Sequence, residues 1–356
     1  MSDSGLGFGG FLLGLGLGWY IFQYIDIGYE AFSYLLILMG IGMILSGLLS
    51  KGGRKHPISG IYGGIIGGLF FAAILTQGFS FVYNITEEFT DITDSQYRAT
   101  EDLTINTAVT SDRLELNVDS VNGGVNVYSW SGDTIKCDME VKAKGTTTSE
   151  AENRLDDFDY DLTNNLVSGV QEVSLSFPLS NTQWSNYAVI IELYVPSSLE
   201  SEYNIDTTNG EIGLHDLTCN TVNLDTTNGA INLSNIEATN IDAETTNGVI
   251  QGSITTQQST MRTTNGAIDI SLSQTSGVHD FRTTNGVIEI NAPTGSEVGY
   301  MVNFDTSIGA LDINLPDMDY DVDSVRTKIG ETNDYSLKPV QIQITAETSI
   351  GGIEVN

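Results

Sequence analysis

The sequence predicts a mainly β protein, a parallel β-solenoid (β-helix) preceded by a three-helix transmembrane region. Three observations carry this. A Thr-Thr-Asn-Gly corner recurs five times, ending at Gly210, Gly229, Gly248, Gly266 and Gly286, with spacings of 19, 19, 18 and 20 residues. Apolar residues stand at fixed offsets on both sides of each corner, alternating with polar ones, as half-buried strands require. Three long uncharged stretches fill residues 1–83.

Those stretches are 6–25, 31–49 and 58–83, each near or above the roughly 20 residues of a spanning helix. The linker carrying Lys51, Arg54 and Lys55 is basic, and the linker carrying Asp26 and Glu30 is acidic. The positive-inside rule then puts the N-terminus in the cytoplasm and everything after Tyr83 outside. No span holds an ionisable residue at its middle, so nothing points to a transport path. Gly10, Gly14 and Gly18 share one helical face, as do Gly60, Gly64 and Gly68. Small residues at this spacing let backbones approach closely, either among the three helices or in a homo-oligomer.

Residues 84–110 are acidic and poor in large apolar side chains, and they read as a tether, with a strand as the alternative. The repeat occupies the extracytoplasmic part, 111–356. Degenerate corners end at Gly123, Gly309, Gly351 and Gly330. Two residues after the corners stand Val125, Ile212, Ile231, Ile250, Ile268, Ile288, Leu311 and Ile353; five before them stand residues such as Val118, Ile205, Leu224, Met261, Phe281, Phe304 and Val325. Leu217, Ile236, Ile254, Leu272 and Leu315 suggest a third side. Asn-Gly would supply a positive φ at the corner. A meander of hairpins shares the alternation, but it has no need for the same residue type at the same offset. Stacked coils do, because they build ladders of like side chains. Between the first coil and the main array, residues 128–200 depart from the repeat. There a helix near 149–161, begun by a Ser149/Glu152 capping box, would cover one end.

Composition excludes several functions. The formal net charge is −32, from 46 acids and 14 Lys plus Arg. Residues 1–83 carry three of each sign, so the whole excess lies beyond them. That balance excludes nucleic acid as a partner, since phosphate needs a basic face. The lipid bilayer is the expected partner of the first 83 residues. Four residues before successive corners run Asp119, Asp206, Asp225, Glu244, Arg262, Arg282 and Asp305. Stacking would set Glu244 over Arg262 and Arg282 beside Asp305. Asp206, Asp225 and Glu244 would repel at strand spacing, about 4.8 Å, unless a divalent cation such as calcium relieved them. Cys137 and Cys219 read as buried small side chains, with pairing open in an oxidising compartment. His56, His215 and His279 fall at different offsets, and no nucleophile elbow or phosphate loop is present. No other cofactor is indicated.

The strand ending at Val195-Pro196, the array beginning at Tyr203-Asn204-Ile205-Asp206-Thr207-Thr208-Asn209-Gly210, the later Thr-Thr-Asn-Gly coils and the upstream acidic helix together resemble a family of candidate adhesins. Those proteins belong to bacterial and archaeal envelopes, and their fold is described as a toast-rack domain. The resemblance covers about 111–356. It implies a β-solenoid and a non-catalytic role at the cell surface, and it carries over no functional residue. The expected function is that of a membrane-anchored surface protein presenting an acidic β-solenoid for adhesion, envelope scaffolding or ligand binding. A polysaccharide-active β-helix enzyme and an envelope-stress sensor acting through its helices are the alternatives.

Overall fold

The computed structural model describes residues 97–356, together with Leu13 and Leu17, which are helical. The chain divides into two units, Met1–Gln96 and Tyr97–Asn356. Apart from those two leucines, the predicted spans 6–25, 31–49 and 58–83 lie outside the described residues, as do both spaced-glycine faces. Among the described residues no helix is long and apolar enough to cross a membrane.

The second unit is mainly β. Its first part holds β1 (Tyr97–Ala108), β2 (Arg113–Asp119), β3 (Val125–Trp130), β4 (Thr134–Lys144), helix α1 (Thr148–Asp156), β5 (Asp161–Val167), β6 (Val170–Ser176), helix α2 (Asn181–Trp184) and β7 (Tyr187–Pro196). The array follows as β8 (Glu200–Thr207), β9 (Ile212–His215), β10 (Thr218–Thr226), β11 (Ile231–Thr245), β12 (Ile250–Asn265), β13 (Ile268–Leu272), β14 (Gly277–Asn285) and β15 (Ile288–Asn291). The last part is β16 (Val298–Ile308), β17 (Leu311–Ile313), β18 (Met318–Asp323), β19 (Thr327–Thr332), β20 (Val340–Ile350) and β21 (Ile353–Val355).

Pairing through the array is parallel and in register. Val118, Ile205, Leu224, Ala243, Met261 and Phe281 follow one another across β2, β8, β10, β11, β12 and β14. After the corner, Ile212, Ile231, Ile250, Ile268 and Ile288 do the same. These files are the core, and nearly all of their members are buried. Ile236, Ile254 and Leu272 form the third file, also buried. The coils are therefore solenoid turns, and among the described residues antiparallel pairing is confined to β1–β4, β4–β7, β5–β6, β16–β19 and β18–β19.

The corner owes its glycine mainly to space. Of the corner glycines only Gly123 (φ +117°) and Gly351 (φ +151°) occupy the left-handed region. The five Thr-Thr-Asn-Gly glycines do not, which corrects the expectation from turn chemistry. A Cβ on Gly229 would overlap the carbonyl oxygen of Gly210, one on Gly248 that of Gly229, and one on Gly266 that of Gly248. The threonine three residues earlier completes the joint. Buried Thr226, Thr245, Thr263 and Thr283 donate through Oγ1 to the carbonyls of Gly210, Gly229, Gly248 and Gly266 at 2.9–3.0 Å. The next threonine of each corner points outward and is exposed. Asn209, Asn228, Asn247, Asn265 and Asn285 then form a side-chain ladder, each Nδ2 donating to the Oδ1 of the preceding rung at 2.8–2.9 Å.

Both ends depart from chain order. At the far end β20 pairs with β14 on one side and β16 on the other. The coil ending at Gly351 is thus inserted between those of Gly286 and Gly309. Ala346 lies between Phe281 and Phe304, a small side chain separating two large ones. Thr348 and Thr306 keep the corner bond in this spatial order, to Gly286 and Gly351. Gly330 is no corner: it lies in β19, which runs antiparallel to β16, and Val325 is 80% exposed. At the near end β6 and β7 pair in parallel with β2 and β3, so residues 128–200 contribute an extra coil layer.

Residues 97–108, read as part of a tether, form β1 on the edge of β4. Ala99, Leu103 and Ile105 pack their half-buried side chains on the core. Helix α1 starts two residues earlier than the Ser149/Glu152 box implies. Thr147 is its N-cap, accepting from the Glu150 N–H, and the Glu150 carboxylate returns to Thr146. The capping pattern is met as Thr-x-x-Glu at 147/150 as well as Ser-x-x-Glu at 149/152, and the earlier match wins. Ala151 is buried, and Phe158 beyond the helix meets Phe177 and Tyr187 at ring distances of 5.7 and 5.4 Å. Cys137 and Cys219 are both buried and free.

This packing makes a direct prediction. Gly229→Ala should destabilise the solenoid by about 1–3 kcal/mol or more, because the obstacle is backbone and cannot rotate away. Exposed Thr227→Ala should stay within about 0.5 kcal/mol. Denaturant unfolding of the two variants checks both.

Candidate functional site

The outward residues of the parallel strands form files by the same register that builds the core. Asp119, Asp206, Asp225 and Glu244 occupy neighbouring positions in β2, β8, β10 and β11. All four are exposed. All four were legible from the repeat at the fourth residue before each corner, and Asp119 joins the three expected to repel as the first member of the file. Partial desolvation raises the Asp206 carboxyl above its ordinary value, and the charges of Asp225 and Asp119 add to that. A shallow groove of about 390 Å³ runs along this file, bordered by Ser174, Asn204, Asp206, Asn223, Asp225 and Glu244 among others. Asn117, Asn204 and Asn223 form a second amide ladder beside the acids, with bonds of 2.8 and 2.7 Å.

The expected calcium site at Asp206, Asp225 and Glu244 gains no cage from this geometry. Successive in-register strands present side chains side by side and do not converge them. Among the described residues no group of three or more His, Cys, Asp or Glu is arranged to hold a metal ion.

A second acidic file lies on the strands after the corner. Asp269, Glu289 and Glu354 are neighbours, with Asp312 next to Glu354. Burial raises the Asp269 carboxyl, and burial followed by the charges of Asp269 and Glu354 raises that of Glu289. Each of these acids stands three residues after its glycine, an offset whose series was available in the sequence. The two files are separated along the array. One belongs to the early coils before their corners, the other to the late coils after theirs.

Basic residues sit where the first file ends. Arg262 follows Glu244 in register, but its ion pair is with Asp280 at 3.8 Å. Arg282 binds Asp280 at 2.9 Å and Glu347 at 3.4 Å. The expected neighbour, Asp305, is one strand further away, because β20 intervenes.

The histidines are not brought together. His279 is buried, bonded through Nδ1 to Ser259 at 2.8 Å, and pushed down to about 4 by desolvation. His215 is half-buried and stacks on Tyr128 at 4.6 Å; Tyr128 stacks in turn on Tyr194 at 5.3 Å. Lys136 lies 5.0 Å from the Tyr194 ring centre, so a cation closes this aromatic row. A separate small cavity of about 140 Å³ is lined by Ser129, Ser201, Tyr203, Asp216 and Thr218 among others. Tyr128 and His215 each stand five residues after a corner glycine, so their pairing follows from the repeat; Tyr194 was missed because it comes from β7, which only the extra coil layer aligns.

The chain matches the model of the Toastrack DUF4097 family over residues 111–345 and belongs to that family. Solved structures to which the chain is similar include a candidate cell-adhesion protein from Clostridium sporogenes, with 12% identity and a TM-score of 0.37, covering 72% of this chain and 99% of that one. A candidate adhesin from Bacteroides fragilis gives 11% identity and 0.35, covering 73% and 99%. A candidate lipid-binding protein from Parabacteroides distasonis gives 13% and 0.30, covering 72% and 94%. No curated protein matches the chain.

The raised carboxyls of Asp206, Asp269 and Glu289 fix a sign. The folded state takes up their protons at higher pH than the unfolded chain does, so these groups cost stability at neutral pH and return it on acidification. His279 acts oppositely. The unfolded chain protonates first, so stability falls as pH drops from 6.5 towards about 4. Asp206→Asn should therefore raise stability at pH 7 by no more than about 1 kcal/mol, given solvent screening. The gain should shrink as both proteins are acidified through the carboxylate range, which denaturant titrations at pH 7 and 4 would show.

Proposed function

We propose that this is a membrane-anchored cell-surface protein whose acidic β-solenoid serves adhesion, envelope scaffolding or ligand binding. The observation that supports this most is the rigid set of outward files. Exposed threonines, a five-bond asparagine ladder and two carboxylate files are held in register by backbone and core, each repeating coil after coil. A repeated hydrogen-bonding surface suits a repeated ligand such as an envelope glycan, and the aromatic row at Tyr128, Tyr194 and His215 adds a local feature. Dense negative charge keeps such an array soluble and discourages edge-to-edge association.

The anchor is proposed on the three uncharged stretches of residues 1–83, with the N-terminus cytoplasmic and the solenoid outside. The glycine faces at Gly10, Gly14 and Gly18, and at Gly60, Gly64 and Gly68, provide close packing there, within one chain or between copies. Protease treatment of intact cells tests the topology. The account expects residues after Tyr83 to be cut from outside; protection in intact cells, with cleavage only after lysis, contradicts it.

A further inference from the structure

The small cavity at Ser129, Tyr203 and Asp216 lies where the winding skips a coil. On one side of the solenoid β3 lies between β7 and β9. On the other, β8 adjoins β2 directly, and β6 lies beyond β2. The connection from β7 to β8 therefore passes over the β2–β3 coil, whereas that from β9 to β10 climbs a single layer. Tyr194 and His215 both pair with Tyr128, and Glu202 pairs with Thr221. The skipping connection, 195–201, thus has seven residues where the next, 216–220, has five. The skipped strand β3 ends at Trp130, whose carbonyl accepts from the Ser197 N–H at 3.0 Å. A cavity of about 140 Å³ remains at this crossing.

Its lining has two tiers. Val195, Leu199 and Leu217 are buried, and so are Ser201 and Tyr203, each 1% exposed. Ser197, Asp216 and Thr218 are exposed, and Ser129 is half-buried. The inner tier is therefore apolar wall with two hydroxyls, and the outer tier is polar. Among the described residues that line the cavity, Asp216 is the only charged one. Asn235 Nδ2 donates to its Oδ1 at 2.9 Å, which fixes the carboxylate and leaves Oδ2 to accept elsewhere.

These groups select a ligand by chemistry. An anion would meet Asp216 with no base beside it. A hard cation would find a single carboxylate where such ions gather several charged or carbonyl oxygens. A wholly apolar molecule would leave Ser201, Tyr203 and Asp216 unpaired. Hydroxyls both donate and accept, and a carboxylate accepts from neighbouring hydroxyls. A volume of roughly 150 Å³ accepts a six-membered ring. We infer that this cavity binds one sugar ring, the terminal unit of a neutral glycan. Asp216 accepts from the ring hydroxyls, Ser201, Tyr203 and Thr218 complete their hydrogen bonds, and Val195, Leu199 and Leu217 face the C–H groups. The inference rests on the ligand-binding reading above and gives it one discrete site, apart from the repeating files.

Saturation-transfer NMR on the purified full chain in detergent tests this. Glucose, galactose, mannose and N-acetylglucosamine serve as separate probes, and methylammonium as a charged competitor. At least one sugar should bind saturably, and methylammonium should not displace it. Asp216→Asn should weaken binding about tenfold, the worth of a hydrogen bond to a charged group. That variant keeps the fold, because Asn235 holds the equivalent place in the next coil at φ +57°, against +54° for Asp216. Thr218→Val keeps the side-chain shape, removes a hydroxyl and should weaken binding about fivefold. Displacement of the sugar by methylammonium overturns the inference. Sugar binding that both variants leave intact also overturns it, while keeping the ligand-binding reading through the repeating files. Failure of all four sugars to bind overturns it too; retention of the same protein by isolated envelopes then keeps the broader reading.

Discussion

One contact governs the fold: the backbone of each corner glycine lies directly against the carbonyl of the glycine in the coil before it. No side chain fits between them. Burial of that carbonyl would be costly without a donor, and the threonine three residues earlier supplies one. Thr-x-x-Gly is thus a joint that places consecutive coils at a fixed offset. With the corner fixed, every residue at a given distance from it falls above its equivalent, on the core side or the solvent side.

The remaining features follow from that register. Matched apolar files fill the core, and asparagines at the corner bond to their own kind. Acids at equivalent positions also stack, which is unfavourable and adds to desolvation in raising the carboxyls of Asp206 and Glu289. The solenoid tolerates this because the files are exposed or half-exposed and each is short. The first ends at Arg262, which with Arg282, Asp280 and Glu347 forms a cluster of two bases and two acids.

Most of the array was legible in the sequence because a repeat converts spacing into geometry. The inward threonines, the third apolar file and the Asp206–Asp225–Glu244 alignment all follow from counting to the glycine. The role of that glycine was not legible, because overlap between coils is invisible within one coil. The ends were not legible either. The 23-residue step from Gly286 to Gly309 signals a break, but only packing decides that β20 enters between β14 and β16. The same limit hid Tyr194 of the aromatic row, which reaches Tyr128 through an insertion at the other end. The second acidic file was readable at the third residue after each glycine.

The central claim is that successive corners are nearest neighbours in space. In a hairpin meander the same corners would lie two strands apart, roughly 9–10 Å. Replacing both Asn228 and Asn247 with cysteine and oxidising the protein separates these cases, since a disulfide needs Cα atoms within about 7 Å. The account predicts efficient intramolecular bonding of that pair, and none between cysteines at Asn228 and Asn265. Failure of the first pair to bond, or equal bonding of the second, would contradict stacked coils.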